Sequence, residues 1–431
     1  MLVQDAWLYA LGGIFCLGTF ARAVSPDYRE WARMAVGPYF AGALLSLVLA
    51  RRRSRGAAPR SRRPRAAVAV ALLLLTVVLP LSLEVVWRAQ APASSTRSQA
   101  QPEVAVIERA GDRLAQLRDP YPSTPTVPGV SPASDTPGLD ASAFFPYLPG
   151  MAVFGLLNPT SPGGAVGDAR LALTGATFLI AAGALFAAAG QAGNGDRKLR
   201  VAQVLIVLPT GALPLVTGGD DLPVLALMLL GLVYAARRRP VAAGLALGLA
   251  ATTKFTAWGL LVLLAFGVYD KTGRRAPRAY LLAACAVALP VGLAGFFADP
   301  HAFLVNVVLF PLGLTKVHSP AASPMLGQEL VVLLPHLKRL LTVLLLGVAA
   351  FTILFALATR TPRRPSAVAR FTACAIVLVV VVAPATRFGY FIYPANLLVW
   401  GGFLRSLEPP APEEVPDAAA GGLLAAAQAG A

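Results

Sequence analysis

The side chains able to do acid–base or anion chemistry are few, and they fall at recognisable places. Carboxylates stand at Glu103, Glu108 and Asp119, and a pair, Asp220-Asp221, follows two glycines. Cations stand at Lys254, Lys316 and Arg387, with an imidazole at His318 and tyrosines at 121, 147 and 390. A positioned carboxylate can accept a proton from a hydroxyl, and an arginine can hold an anion through two hydrogen bonds. Each also has a plainer reading. Glu103 and Glu108 can be solvated residues on the polar face of a helix, and the helix dipole alone favours acid in a first turn. Arg387 can snorkel at a helix end. His318 can serve as a structural hydrogen-bonder, and Asp220 can cap the helix starting at Leu222. The three cysteines, Cys16, Cys285 and Cys374, lie in apolar segments, and no Cys/His cluster has zinc spacing.

These groups are set in a very apolar chain. Of 431 residues, 56% are hydrophobic and only 13% charged, against about 25% charged in a soluble domain. That excludes an ordinary soluble enzyme, a disordered regulator and a disulfide scaffold, and implies an all-α polytopic membrane protein. The net charge of +16 sits in short basic runs between apolar segments. This pattern marks cytoplasmic loops rather than a nucleic-acid-binding surface.

A membrane-crossing helix needs about 20 apolar residues. Clear candidates are 7–24, 34–50, 66–87, 169–190, 279–298, 340–358 and 366–386, and shorter ones are 144–158, 201–217, 222–236, 240–253, 255–269 and 388–404. The expectation is about 11–13 helices. The first apolar stretch lacks a basic n-region and is read as a retained span. Basic runs at 51–65, Arg237-Arg238-Arg239, Lys271–Arg278 and Arg360–Arg364 are placed inside the cell, with both termini, leaving the loop 88–143 outside. The bookkeeping then requires that one of 144–158 and 201–217 be re-entrant or lie along the surface. Segments 240–253 and 255–269 read as a hairpin with Lys254 near its tip, and a lysine buried at membrane depth is costly enough to suggest function. Within the external loop, Gln101–Arg118 carries Val104, Ile107, Leu114 and Leu117 on one stripe, predicting an amphipathic helix lying on the outer membrane surface. Residues 405–431 read as a flexible cytoplasmic tail.

Several stretches resemble one family: Asp119-Pro120-Tyr121, Phe144-Phe145-Pro146-Tyr147-Leu148-Pro149-Gly150, and the block from Asp220-Asp221 through Arg237-Arg238-Arg239-Pro240 to Thr252-Thr253-Lys254. In order and spacing they are similar to the membrane glycosyltransferases of the GT-C fold, nearest to family 87, which includes polyprenyl-phosphate-mannose-dependent mannosyltransferases of actinobacteria. The resemblance covers roughly residues 66–404. Residues 1–50 are then two additional N-terminal helices, 51–65 a basic cytoplasmic loop, and 88–143 the long external first loop of the core. Family members commonly carry an Asp early in that loop, where this chain has Glu103, and often Gly-Gln where it has Asp220-Asp221.

The resemblance implies hexosyl transfer of the inverting type, mannose first, from a polyprenyl-phosphate sugar to a cell-envelope glycan or glycolipid. The reaction would take place at the outer face of a bacterial plasma membrane. It implies a catalytic carboxylate among Glu103, Glu108 and Asp119. Donor phosphate would bind among Lys254, Arg387, Lys316 and His318, and substrate contacts would come from Tyr121, Tyr147, Asp220, Asp221 and Tyr390. No cofactor is implied; a divalent metal is compatible with Asp220-Asp221 but not required. The competing class is a multi-pass transporter or flippase of a lipid-linked sugar, since broken helices and an intramembrane lysine also describe transporter sites. The sequence shows no related halves, and no Gly-rich phosphate loop for an ATP-driven pump.

Overall fold

The computed structural model describes residues 1–23, 25–55, 62–91, 100–122, 141–157, 165–189, 194–269, 275–315, 317 and 321–408. Lys316, His318 and residues 409–431 of the expected tail lie outside the described residues, as do 56–61 of the basic loop. The described chain is helical; an isolated bridge pairs Ala322 with Thr386. Two long helices, α1 (Leu2–Arg22) and α2 (Pro26–Ser54), form an antiparallel pair, followed by α3 (Arg63–Gln90). The loop helix α4 (Pro102–Ala115) precedes α5 (Ala169–Ala187). Then come α6 (Gly195–Val207), α7 (Pro209–Thr217), α8 (Asp221–Ala236), α9 (Pro240–Thr253), α10 (Thr256–Val268) and α11 (Arg275–Ala298). The chain continues through α12 (Pro300–Leu309), α13 (Leu326–Leu333), α14 (Pro335–Thr359), α15 (Pro365–Val382) and α16 (Phe388–Leu404).

Seven of these helices are long and apolar enough to cross a membrane, or eight if the bent pair α6–α7 is one span, and α8, α9, α10, α12 and α16 are shorter apolar helices. The protein is an all-α polytopic membrane protein. The two doubtful segments differ in the structure. Residues 144–158 contain only a seven-residue 3-10 turn, Pro149–Gly155, which at a rise of about 2 Å per residue is far too short to cross. Residues 195–217 form α6 and α7, bent by 41°. Leu208 is extended there, as a residue preceding proline prefers, and Pro209 opens the second half.

The helices alternate so that the arginine runs share one end of the bundle. There, Arg65 on α3 binds Asp5 of α1 and Asp196 of α6, Arg200 binds Asp5, and Arg237 donates to the Ala189 carbonyl after α5. The same end holds Ser366 of α15 against Glu408 after α16. The opposite end collects α4, the 3-10 turn, the α7–α8 and α9–α10 junctions and Arg387. The N-terminal pair is docked on the body: the Tyr39 hydroxyl donates to the Val207 carbonyl at the α6–α7 bend, and Trp31 donates to the Thr76 carbonyl in α3. On α9, Gly244 and Gly248 face α11 backbone so closely that a Cβ on either would lie 2.3 or 2.7 Å from a carbonyl oxygen. This small-residue spacing lets membrane helices approach.

One expectation is corrected. The apolar stripe of the loop helix faces protein rather than lipid. Val104, Val106, Ile107 and Ala110 are buried, packed on the 3-10 turn and α5. Leu117 is not on the stripe at all: it follows the helix in a left-handed turn (φ 57°) and is 94% exposed.

Candidate active site

At the end opposite the arginine runs, five separate chain segments converge. The first is the start of α4. Pro102 occupies the first helical position, where its missing N–H loses no bond. Gln101 just before it pins the helix: its backbone N–H donates to the Thr217 carbonyl (2.8 Å), and its side-chain amide donates to the Thr217 hydroxyl (2.7 Å) and to Tyr28 Oη (2.9 Å). Next to Thr217, Gly218 takes φ 117°, and a Cβ there would sit 2.1 Å from Val104. Glycine alone permits that turn to press against α4. Glu103 is thereby fixed beside the α7–α8 junction. Its Oε1 accepts from Arg387 Nη1 at 2.5 Å, both side chains being partly exposed.

The second convergence is around Lys254. The lysine follows α9 in extended backbone. Its Nζ lies 2.9 Å from Asp220 Oδ2 and 2.5 Å from Asp221 Oδ1, and 5.1 Å from the centre of the Tyr147 ring, within cation–π range. The Tyr393 hydroxyl of α16 donates to Asp221 Oδ1 (2.6 Å) and accepts from the Thr256 hydroxyl of α10 (2.9 Å). Asp220 sits at the N-cap of α8 but makes no side-chain cap bond; its carboxylate turns to the lysine, which supplies the positive charge between the two acids. Tyr147 is held by the Leu148 N–H bonding the Thr253 carbonyl. Asp220, Glu103 and Arg387 are charged neighbours of Tyr147, and Lys254 and Arg387 are charged neighbours of Tyr390. The two ion-paired groups therefore flank the same two tyrosines.

The remaining candidates lie elsewhere. Glu108, one turn and a half along α4, is buried, and Arg88 at the end of α3 grips both its oxygens at 2.7 Å. The same Arg88 reaches Asp168 (2.9 Å), which binds Arg170, and the Ala169 N–H also donates to Glu108. This network fastens α4 to α3 and α5. Asp119 accepts from the Tyr121 N–H in a turn (3.1 Å), and burial pushes its carboxyl above the usual range. Tyr121 is fully buried, its hydroxyl donating to the Tyr147 carbonyl at 2.9 Å, so it supports the tyrosine segment from behind. Arg88, Gln101 and Tyr28 were not singled out from sequence. Arg88 carried a weak signal, a lone cation closing a long apolar run.

Residues 145–384 match the family model of glycosyltransferase family 87, more than half of the chain. The chain belongs to glycosyltransferase family 87. No curated protein and no solved structure matches it. Tyr147, Asp220, Asp221 and Lys254 lie within the matched stretch of this family 87 enzyme, while Glu103, Arg387 and Tyr390 flank it on either side. Glycosyl transfer needs a group to accept the incoming hydroxyl's proton and a group to hold the charge of the leaving oxygen. The site end of this glycosyltransferase brings carboxylates and cations together around two aromatic rings.

Proposed function

We propose that this glycosyltransferase moves a hexose, mannose first, from a polyprenyl-phosphate sugar to a glycan or glycolipid acceptor of the cell envelope. The observation that carries the reading is the separation of charge along the bundle: the arginine runs occupy one end and the Glu103–Arg387 and Lys254–Asp220–Asp221 groups the other. Arginine-rich loops are retained in the cytoplasm, which leaves both termini inside and turns the site outward in a bacterial plasma membrane. Nucleotide sugars are cytoplasmic, so an outward-facing transferase needs a donor carried in the membrane.

In this reading the phosphate of the donor binds Arg387 and Lys254, drawing Arg387 from Glu103. The freed carboxylate accepts the proton of the acceptor hydroxyl as its oxygen forms the bond to the anomeric carbon. The bond from that carbon to the phosphate oxygen breaks, and polyprenyl phosphate leaves with its electron pair, held by the two cations. Asp220 and Asp221 hold Lys254 extended toward the phosphate, and Tyr147 and Tyr390 line the sugar. Asp119, outside the charged group, is left out of the chemistry.

The test is transfer of radiolabelled mannose from polyprenyl-phosphate-mannose in vesicles from overexpressing, deleted and Glu103→Gln strains. New labelled product only with the intact chain supports both donor and mechanism. Equal labelling in all three strains would overturn them, and silence with mannose but transfer from the glucose- or arabinose-bearing lipid would replace the sugar.

A further inference from the structure

The N-terminal pair α1–α2 lies outside the matched stretch, yet it reaches the site. Tyr28 stands in the first turn of α2, where Pro26 starts the helix and Ser25 bonds the Asp27 carboxylate. Its hydroxyl accepts from the Gln101 amide at 2.9 Å, two residues before Glu103, and its charged neighbours include Glu103 and Arg387 as well as Asp27. The Tyr28 ring is only partly buried, and so is Gln101. The Gln101 amide is also bonded to the Thr217 hydroxyl, so the pair is held on two sides rather than resting loosely on the surface.

The position relative to the two charged groups is what gives Tyr28 a role. Lys254, Asp220, Asp221 and Tyr393 form one side of the site, and Glu103 with Arg387 the other. Tyr28 and Gln101 adjoin the Glu103 side. The hydroxyl that gives its proton to Glu103 belongs to the acceptor, so a group bonded to the chain two residues before Glu103 borders the acceptor as it reaches that carboxylate. A partly exposed tyrosine ring offers a flat apolar face to the C–H face of a pyranose, and the adjoining hydroxyl and amide offer hydrogen bonds to its hydroxyls. We infer that Tyr28, positioned by Gln101, binds the acceptor's terminal hexose, so that the additional N-terminal helices set acceptor specificity. The inference rests on Glu103 being the proton acceptor in the reading above.

The experiment uses the full chain and octyl α-mannoside as acceptor probe, with two readouts. The first is the shift in unfolding temperature of the purified protein on adding the glycoside, which needs no donor. The second is steady-state transfer from polyprenyl-phosphate-mannose with donor and acceptor varied in turn. The expected result is a shift in the native chain that Tyr28→Ala loses, with the acceptor KM raised about tenfold, the loss expected of one discriminating contact, and the donor KM unchanged. Tyr28→Phe keeps the ring and recovers part of the binding, which a purely structural role would not grade in this way. A glycoside shift that Tyr28→Ala retains, or no shift in the native chain, overturns the inference. A rise in donor KM instead of acceptor KM overturns it too. A native shift that Tyr28→Ala abolishes, without transfer from any lipid-linked sugar, upholds the acceptor site and overturns the donor reading alone.

Discussion

Arg387 donates to Glu103 across 284 positions of sequence, over 2.5 Å, and so joins the start of α4 to the start of α16. In the proposed reading each is the partner the other needs until a donor phosphate binds. In that reading the carboxylate holds the cation until an anionic donor arrives, and the guanidinium gives the carboxylate a counter-charge. The pair is partly exposed, so exchanging one anion for another at Arg387 does not require a buried charge to be stranded.

Glu103→Gln keeps the size and removes the proton acceptor. Transfer should fall about 10²–10⁴-fold, the usual contribution of a general base. The unfolding temperature should change little, because a partly exposed pair contributes little to stability. Initial rates and thermal unfolding on the same preparations check both halves. A rate near that of the native chain would remove Glu103 from the mechanism.

Lys254 lies between two carboxylates and is only 11% exposed. Lys254→Met leaves Asp220 and Asp221 facing each other without a counter-charge, which should cost about 3–5 kcal/mol. Adding Asp220→Asn and Asp221→Asn removes the repulsion and should restore most of the stability. In the proposed reading it should not restore donor binding, because Lys254 is there the ligand of the donor phosphate. Thermal unfolding and donor KM across the series separate the two effects; a triple variant that regained donor affinity would make Lys254 structural.

The residues legible in the sequence were those whose cost betrays them. Lys254 between two apolar segments, Asp220-Asp221 after two glycines and Arg387 after an apolar run each break an apolar pattern, and the structure brings them to one end with Glu103. Pairing was not legible. Glu108 and Glu103 look equivalent on one helix, and only the fold shows Arg88 gripping the first and Arg387 the second. Leu117 matched the helical stripe but falls past the helix end, since spacing does not report where a helix stops. The segment 144–158 was apolar enough for a short span, but Pro146 and Pro149 break it before a turn can extend.

Gly111 of α4 and Gly155 of the 3-10 turn are in backbone contact. A Cβ on Gly155 would lie 2.1 Å from the Ile107 carbonyl oxygen, and one on Gly111 would lie 2.2 Å from the Gly155 carbonyl carbon. Either alanine must push α4 outward and carry Glu103 away from Arg387. A loss of about 1–3 kcal/mol is expected from such overpacking, together with reduced transfer per folded molecule. Gly175→Ala on α5, which meets nothing within 4 Å, is the control and should be neutral or slightly stabilising. Activity normalised to folded protein is the deciding measurement, because unchanged specific activity in Gly155→Ala would show that α4 need not be held so closely.

Asp168 caps α5 by accepting from the Arg170 N–H at 3.0 Å. Burial alone would raise its carboxyl, but Arg170 and Arg88 outweigh it and hold the group below the usual carboxylate range. A depressed folded value means that the ionised form is favoured by folding. The stabilisation is therefore complete above the unfolded value of about 3.9 and drains away as pH falls through the lower folded value. The unfolding temperature of Asp168→Asn should lie clearly below that of the native chain at neutral pH, and the gap should close below about pH 4. Removing this cap also loosens Arg88, which shares its charge between Asp168 and Glu108, so transfer should weaken in parallel with stability. Unfolding curves recorded across pH test the sign: a gap that widened in acid would mean that Asp168 is protonated in the folded protein and that Arg88 is held by Glu108 alone.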